Sequence, residues 1–177
     1  MACVFGPVRQ NGYVVRDLEK ALAFWIETLG VGPWFVIENA RVPDFQYRGA
    51  PSGAQTNLAM AQWGALQVEL IQPLDDEPSM YRDFLAAGPE GLQHVACWSD
   101  DYDATLSAAL EAGFRVCQGG SFAPDARYVY FETEGHPGTV IELAETAGTM
   151  GPFFRAVAAA AEGWDGTDPI KRISLAG

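Results

Sequence analysis

The chain has no long hydrophobic run, and it has little positive charge. None of its apolar stretches approaches the roughly 18 residues of a membrane-spanning helix, and its N-terminal segment lacks a basic stretch followed by a long apolar one. The sequence therefore predicts neither a membrane span nor a signal peptide, and we expect a cytoplasmic protein. With 11 Lys and Arg against 23 Asp and Glu, the formal charge of −12 disfavours nucleic acid and anionic membrane surfaces as partners.

Cysteine is also scarce. The three cysteines, Cys3, Cys97 and Cys117, lie far apart in the sequence, so none of them has the close spacing typical of zinc sites. An odd number does not complete a disulfide framework, and we expect reduced, mostly buried thiols. Hydrophobic residues make up 49% of the chain, which is enough for a packed core in a single domain, predicted over residues 1–164.

Two segments of the sequence are alike: VRQNGYVVRD near the N-terminus and LQHVACWSDD near the middle. Laying His94 on Gln10 aligns them, and the match continues through the helix-like segment that follows each one. Because internal repeats fix the architecture of a chain, the alignment predicts two related modules, residues 8–72 and residues 92–146.

Each module has the pattern of one strand, one helix and three further strands. Apolar residues recur at three-to-four spacing after Asp17 and after Asp101, which predicts amphipathic helices with these residues as N-caps. The runs that follow are typical of strands: WFVIEN (34–39), QTNLAMAQ (55–62), LQVELIQ (66–72), FRVCQ (114–118), RYVYFE (127–132) and TVIELA (139–144). The last two are joined across GHPG, where His136 is interpreted as a turn residue. The predicted fold class is α+β, with two tandem βαβββ modules.

Other segments flank or interrupt the modules. Residues 73–91 predict a linker helix, residues 150–163 predict a C-terminal helix that begins near a proline, and residues 165–177 remain as a tail. Residues 40–54 hold two prolines and two glycines between strands. This composition favours a loop that covers a site.

Polar side chains stand at repeated positions in both modules: Gln10 and His94 in the first strands, Glu69 and Glu142 in the last strands. A strand histidine alone is more often a hydrogen-bonded residue than a ligand, and a strand glutamate often faces water. Their repetition, with a small residue two positions after Gln10 and after His94, favours convergence on one point. An amide oxygen, an imidazole and two carboxylates suit a divalent Zn, Ni, Co, Mn or Fe ion.

These residues lie within motifs that resemble the vicinal oxygen chelate superfamily, which includes glyoxalase I, methylmalonyl-CoA epimerase, extradiol dioxygenases and antibiotic-sequestering proteins. The resemblance covers about residues 8–146 and rests on GYVVRDLEKALAFWIETLGVGPW, VELIQPL, GLQHVACWSDD and GTVIELAE. It implies a curved mixed sheet around a metal and substrate pocket, with the metal ligands Gln10, Glu69, His94 and Glu142. This set looks like that of some glyoxalase I enzymes. The additional glutamate of the epimerases has no counterpart in residues 51–55.

The resemblance implies proton transfer at the carbon next to a carbonyl group, as in a metal-dependent isomerase, epimerase or lyase. We expect Glu142 to be the general base and Glu69 to be a ligand and second acid or base. The expected substrate is a hydrophobic or aromatic carbonyl compound, because aromatic residues are numerous around the presumed pocket. The expected substrate contacts are Trp34, Phe45, Tyr47, Trp63, Trp98, Arg48 and Arg127.

Two other functions stay open at this point. One is a metal-free protein of the bleomycin-resistance type that sequesters an aromatic compound, and the other is an Fe(II)-dependent dioxygenase. Exposed strand edges favour pairing of chains, so we also expect a homodimer.

Overall fold

The structure is a computed structural model that describes residues 3–132 and 140–174, and one open, curved mixed sheet runs through these residues. Its strands are β1 (Val8–Val14), β2 (Trp34–Arg41), β3 (Gln46–Tyr47), β4 (Ala50–Pro51), β5 (Gln55–Trp63), β6 (Leu66–Pro73), β7 (Gly91–Ser99), β8 (Val116–Ser121), β9 (Arg127–Phe131), β10 (Val140–Glu145) and β11 (Ile170–Ile173). The helices are α1 (Leu18–Ala23), α2 (Met80–Ala87), α3 (Tyr102–Glu111) and α4 (Met150–Ala161). A π-helical turn, Phe24–Thr28, continues α1. The predicted α+β fold is confirmed.

The two modules meet at the centre of the sheet, where β1 and β7 pair in antiparallel fashion. The strand order is β11-β2-β5-β6-β1-β7-β10-β9-β8-β3-β4. Each module's first strand also pairs in parallel with its last strand, β1 with β6 and β7 with β10. Gly12 lies opposite Glu69 in one pair, and Ala96 lies opposite Glu142 in the other. The repeated sequence positions therefore occupy equivalent places on either side of the sheet centre.

Helices α1 and α3 cover one face of the sheet, which we call the helix face. Asp17 accepts a hydrogen bond from the Lys20 amide and Asp101 accepts one from the Ala104 amide, as N-caps do. The apolar sides of these helices pack on the strands in two clusters, one built around Trp25 and Trp34, the other around Phe131 and Leu143.

The opposite face, which we call the inner face, is covered by α2, α4 and the segment between β2 and β5. Tyr81 and Leu85 of α2 pack against the inner cluster, and Phe154 and Val157 of α4 pack against Met60. The hollow side of the sheet is thus closed by α2 and α4, which lie outside the repeated modules, and by one segment of the first module.

Several elements differ from the sequence-based expectation. Residues 40–54 contain β3 and β4, and β3 pairs with β8. The predicted tail contains β11, which pairs in parallel with β2, and the linker helix occupies only Met80–Ala87. The predicted GHPG turn with His136 lies outside the described residues. Of the cysteines, all are free, and Cys97 and Cys117 are buried. No helix in the described ranges is long and apolar enough to cross a membrane.

Candidate metal centre

Glu69, His94 and Glu142 meet on the inner face of the sheet. They come from β6, β7 and β10, and one potential ligand atom of each lies within 4.8 Å of the others. His94 Nε2 is 3.0 Å from Glu142 Oε2 and 3.6 Å from Glu69 Oε2. All three side chains are at least nine-tenths buried. The arrangement brings together two carboxylates and one imidazole out of contact with bulk water.

Two atoms of this cluster have no hydrogen-bond partner within the described residues. They are His94 Nε2 and Glu142 Oε2, both buried. The other ring nitrogen, Nδ1, lies 2.7 Å from the acceptor Oε1 of Gln93, so it is the nitrogen that carries the proton in a neutral ring. Nε2 then directs a lone pair toward two carboxylates. This arrangement is repulsive unless a proton or a metal cation lies between them, and a neighbour that fixes the ring through its other nitrogen is typical of metal-binding histidines.

Gly12 makes room for the imidazole. It pairs with His94 across β1 and β7, and a Cβ added at Gly12 would lie 1.8 Å from His94 Cε1 and 2.1 Å from Nε2. The ring therefore lies directly over the backbone of β1. Because no other residue leaves this space, the glycine in VRQNGYVV is a requirement of the His94 position.

Gln10 lies beside the cluster. Its side chain is buried, and it lines the same cavity as Glu69 and Glu142. Its amide nitrogen donates a 2.8 Å hydrogen bond to Gln67 Oε1. This bond leaves the amide oxygen of Gln10 as the atom that a cation would use.

The charges in the cluster affect one another strongly. Burial lowers the pKa of His94, but the Glu142 and Glu69 carboxylates raise it by more, to about 9. Burial raises the pKa of Glu69, the nearby His94 lowers it, and the charge of Glu142 raises it further. Two carboxylates in such a site need positive charge, and a divalent cation with a neutral imidazole supplies it.

Aromatic side chains form much of the cavity beside the cluster: Phe45, Tyr81, Phe122, Tyr128, Tyr130 and Phe154. The Tyr130 ring packs edge-on against His94 at 4.9 Å, and the Tyr81 hydroxyl donates to that of Tyr130 over 3.1 Å. Burial raises the pKa of each of these tyrosines well above the usual value, so they are neutral. The volume open to a water-sized sphere is about 30 Å³. This is space for a water molecule or two, so a substrate requires movement of the wall.

Some of the predicted substrate contacts lie at or near this cavity. Phe45 lines it, and the buried Tyr47 belongs to the same core cluster and hydrogen-bonds to Asp83. Arg48 lies over the Tyr47 ring and pairs with Asp83 at 3.2 Å on the surface. Trp98 lies behind the cavity wall, where its ring stacks on Phe154 at 4.4 Å.

The other predicted contacts lie elsewhere. Trp34 is fully buried on the helix face, where it packs against Trp25 and donates to the carbonyl of Val31. Trp63 lies at the turn between β5 and β6, is half exposed and also packs against Trp25. Arg127 pairs with Asp103 and Glu145 and covers the Tyr102 ring of α3. The structure therefore does not bring these three residues to the cavity.

Sequence reasoning missed the tyrosines of the cavity. Tyr128 and Tyr130 alternate along β9, and Tyr130 lies opposite Glu142 in the neighbouring strand. Period-two alternation in RYVYF was therefore a usable signal once Glu142 had been assigned to the inner face. Tyr81 comes from the linker helix, outside the repeat.

Comparison with known proteins places the chain among proteins of similar fold. Residues 9–131 match the model of the "Glyoxalase/Bleomycin resistance protein/Dioxygenase superfamily". The matched range includes Gln10, Glu69 and His94, whereas Glu142 lies beyond it. A search of curated proteins found no match.

Solved structures resemble the chain over most of its length. Methylmalonyl-CoA epimerase from Mycobacterium tuberculosis has a TM-score of 0.60 and 22% identity, over 86% of this chain and 95% of that one. A hypothetical protein from Bacillus halodurans has a TM-score of 0.61 and 18% identity, over 81% and 96%. The Streptomyces coelicolor epimerase in complex with 2-nitronate-propionyl-CoA has a TM-score of 0.56 and 19% identity, over 80% and 97%. At these identities the likeness shows the fold alone.

Proposed function

Because the chain belongs to the glyoxalase/bleomycin resistance protein/dioxygenase superfamily, we propose that it is a metal-dependent isomerase, epimerase or lyase that moves a proton at the carbon next to a carbonyl group. The observation that supports this most is the buried cluster of one imidazole and two carboxylates, whose potential ligand atoms lie within 4.8 Å of one another. His94 Nε2 lies 3.0 Å from Glu142 Oε2 and 3.6 Å from Glu69 Oε2, so either a proton on Nε2 or a metal cation has to balance these carboxylates. A divalent cation at this point would be a partner for all three side chains.

The donor set fits such an ion. Glu69, His94, Glu142 and the amide oxygen of Gln10 would hold it, and this mixture of nitrogen and oxygen donors suits Zn, Ni, Co, Mn or Fe. When bound, the ion supplies Lewis-acid stabilisation of the negative charge that forms on a substrate carbonyl oxygen. Gln93 holds the His94 ring in the orientation that directs Nε2 toward Glu69 and Glu142, with which it would hold the ion.

The two glutamates would move the proton. Glu142 acts as the general base, because its carboxylate lines the cavity where a substrate carbon would lie. Glu69 acts as a ligand and as the second acid or base. Its carboxylate lines the same cavity as Glu142.

The lining of the cavity favours a hydrophobic or aromatic substrate. Phe45, Tyr128 and Phe154 are among its walls, and their rings offer apolar surface while excluding water from the carboxylates. Because the cavity is so small, entry requires an outward movement of a wall side chain, and α4 supplies two of these, Met150 and Phe154.

Hydrogen exchange at carbon tests this proposal. The protein is loaded with each candidate metal and incubated in D₂O with hydrophobic carbonyl compounds that carry an acidic α-proton, and NMR follows loss of the α-proton signal. We expect exchange with the parent and with Glu27→Gln, a control at an exposed glutamate of the helix face. We expect none with Glu142→Gln or with the metal-stripped parent. Exchange at the parent rate in Glu142→Gln would contradict the assignment of the base.

Two further functions give different results in the same experiments. The aromatic lining also suits a metal-free binding protein, and tight binding of an aromatic ligand by metal-stripped protein without exchange would favour it. An iron oxygenase usually holds its metal with two histidines and one carboxylate. His94 is the one histidine in the described part of the chain, so this function has less support; Fe(II)-dependent oxygen consumption would favour it.

A further inference from the structure

A second groove lies on the other side of Phe154 from the metal cavity. Its volume is about 330 Å³, and it is open to solvent along one side. Phe154 lines both spaces, so this ring is the wall between them. Among the other residues at the groove are Arg9, Trp98, Asp100, Thr146 and Arg155. The groove is therefore formed where β1, β7 and α4 come together.

The two arginines at this groove are unpaired. Within the described residues, neither Arg9 nor Arg155 has an ion pair or hydrogen bond. In contrast, Arg48, Arg82 and Arg172 each pair with a surface carboxylate. Arg41 of β2 also has no partner within the described residues, but it lies away from this groove, whereas Arg9 and Arg155 lie at it together. Their charges are available to a ligand.

The other polar groups at the groove also leave hydrogen-bond donors available to a ligand. Asp100, the acid at the groove, accepts a 2.8 Å hydrogen bond from the Thr146 hydroxyl, so this carboxylate already has a neutral partner. The indole nitrogen of Trp98 is buried and has no hydrogen-bond acceptor in the described chain. Hydrogen-bond donors without acceptors therefore lie beside Phe154, and a ligand group with several acceptor oxygens would accept hydrogen bonds from them.

We propose that this groove binds the anionic end of the substrate, a carboxylate or a phosphate, whose carbonyl end lies in the metal cavity beyond Phe154. Guanidinium groups match the geometry of both anions and bind them through paired hydrogen bonds. The assignment to a substrate rests on the proposed function, whereas the capacity to bind an anion rests on the groove alone. The substrate class is then a hydrophobic carbonyl compound with an anionic terminus.

Phe154 determines how such a molecule is held. Its ring stacks on Trp98 with an interplanar angle of 23° and lines the cavity of about 30 Å³. A ligand that reaches from the arginines to the glutamates has to displace this ring. The anion would be bound first at the open groove, and the apolar part would follow past the displaced Phe154.

Isothermal titration calorimetry of metal-stripped protein, dialysed free of chelator, tests the anion site directly. The probes are benzoate, phenyl phosphate and the uncharged benzyl alcohol. We expect at least one anion to bind, with affinity reduced about tenfold or more in the double variant Arg9→Gln/Arg155→Gln, since each charge-assisted contact contributes an effect of this order. The matched control is Arg41→Gln, an exposed arginine away from the groove, which should bind as the parent does. Preference for benzoate indicates a carboxylate terminus, and preference for phenyl phosphate indicates a phosphate.

The proposal is overturned if neither anion binds, if benzyl alcohol binds as well as the anions, or if the double variant and the Arg41→Gln control lose affinity equally. Because the titrations use metal-stripped protein, they do not depend on the metal centre. Anion binding by a parent that takes up no metal would contradict the proposed function and leave the groove assigned. Metal uptake without anion binding would agree with the proposed function and overturn the assignment of the groove.

Discussion

Replacing Gly12 by alanine tests the central geometry of the site with one added methyl group. The new Cβ would lie 1.8 to 2.4 Å from three atoms of the His94 ring, whereas carbon atoms in contact are normally about 3.5–4.0 Å apart. The ring cannot shift within its plane to relieve this overlap, because Tyr130 packs against it and the two strands are hydrogen-bonded. We expect the imidazole to leave the cluster, or β1 and β7 to separate.

Two quantities change as a result. Overpacking of this kind costs about 1–3 kcal/mol of unfolding free energy, measured by urea denaturation of the metal-stripped protein. Metal affinity, measured by competition with a chromophoric chelator, should fall by about 10–100-fold or more, because a ligand is displaced and not only reoriented. The control is Gly88→Ala, where an added Cβ has no atom within 4 Å and the backbone is extended. A Gly12→Ala protein with the parent's stability and metal affinity would refute the placement of His94 over this glycine.

Three further predictions concern charge and packing. The pKa of His94 is raised to about 9 in the metal-free protein, so metal uptake at pH 7 should release a proton, measurable by calorimetry in buffers of different ionisation enthalpy; uptake without release would contradict this. Because this folded-state pKa lies above the unfolded value, the stabilisation is complete below about pH 6.5 and is lost toward pH 9, and urea midpoints of stripped protein should fall over that range. Trp34→Ala should lower the unfolding free energy by about 3–5 kcal/mol, yet leave the metal content of the folded protein unchanged, since this side chain is fully buried on the helix face. Arg127→Gln should lower stability by about 1 kcal/mol at most and leave metal and anion binding as in the parent, because its partners are Asp103 and Glu145.

The arrangement of the modules was predictable because it depends on features that recur in the sequence. Asp17 and Asp101 cap equivalent helices, and the parallel pairing of first and last strands in each module follows from the repeated pattern. The convergence of Glu69 and Glu142 could be expected for the same reason. Each is a charge between branched apolar residues at the same place in its module, and burial of such a residue needs a partner.

The aromatic contacts were less predictable, because hydrophobicity does not distinguish the two faces of a sheet that is buried on both. Trp34 and Tyr130 are both buried aromatic strand residues, but one lies on the helix face and the other beside His94. Each of the two residues can be assigned to a face of the sheet only from its position in the strand relative to a residue whose face is already known. The sequence of β11 also has no hydrophobic pattern that predicts a strand. This strand is short and mostly exposed, and it pairs with β2 through backbone groups.

The metal content of the purified, untagged protein tests the central claim most directly. It should be measured by elemental analysis for the parent, His94→Ala, Glu142→Gln and the surface control Glu27→Gln. Near-stoichiometric divalent metal in the parent and the control, with loss from both site variants, is the result that we predict. A parent that contains no metal, and that Zn, Ni, Co, Mn and Fe(II) do not stabilise against unfolding, would contradict the proposed metal centre.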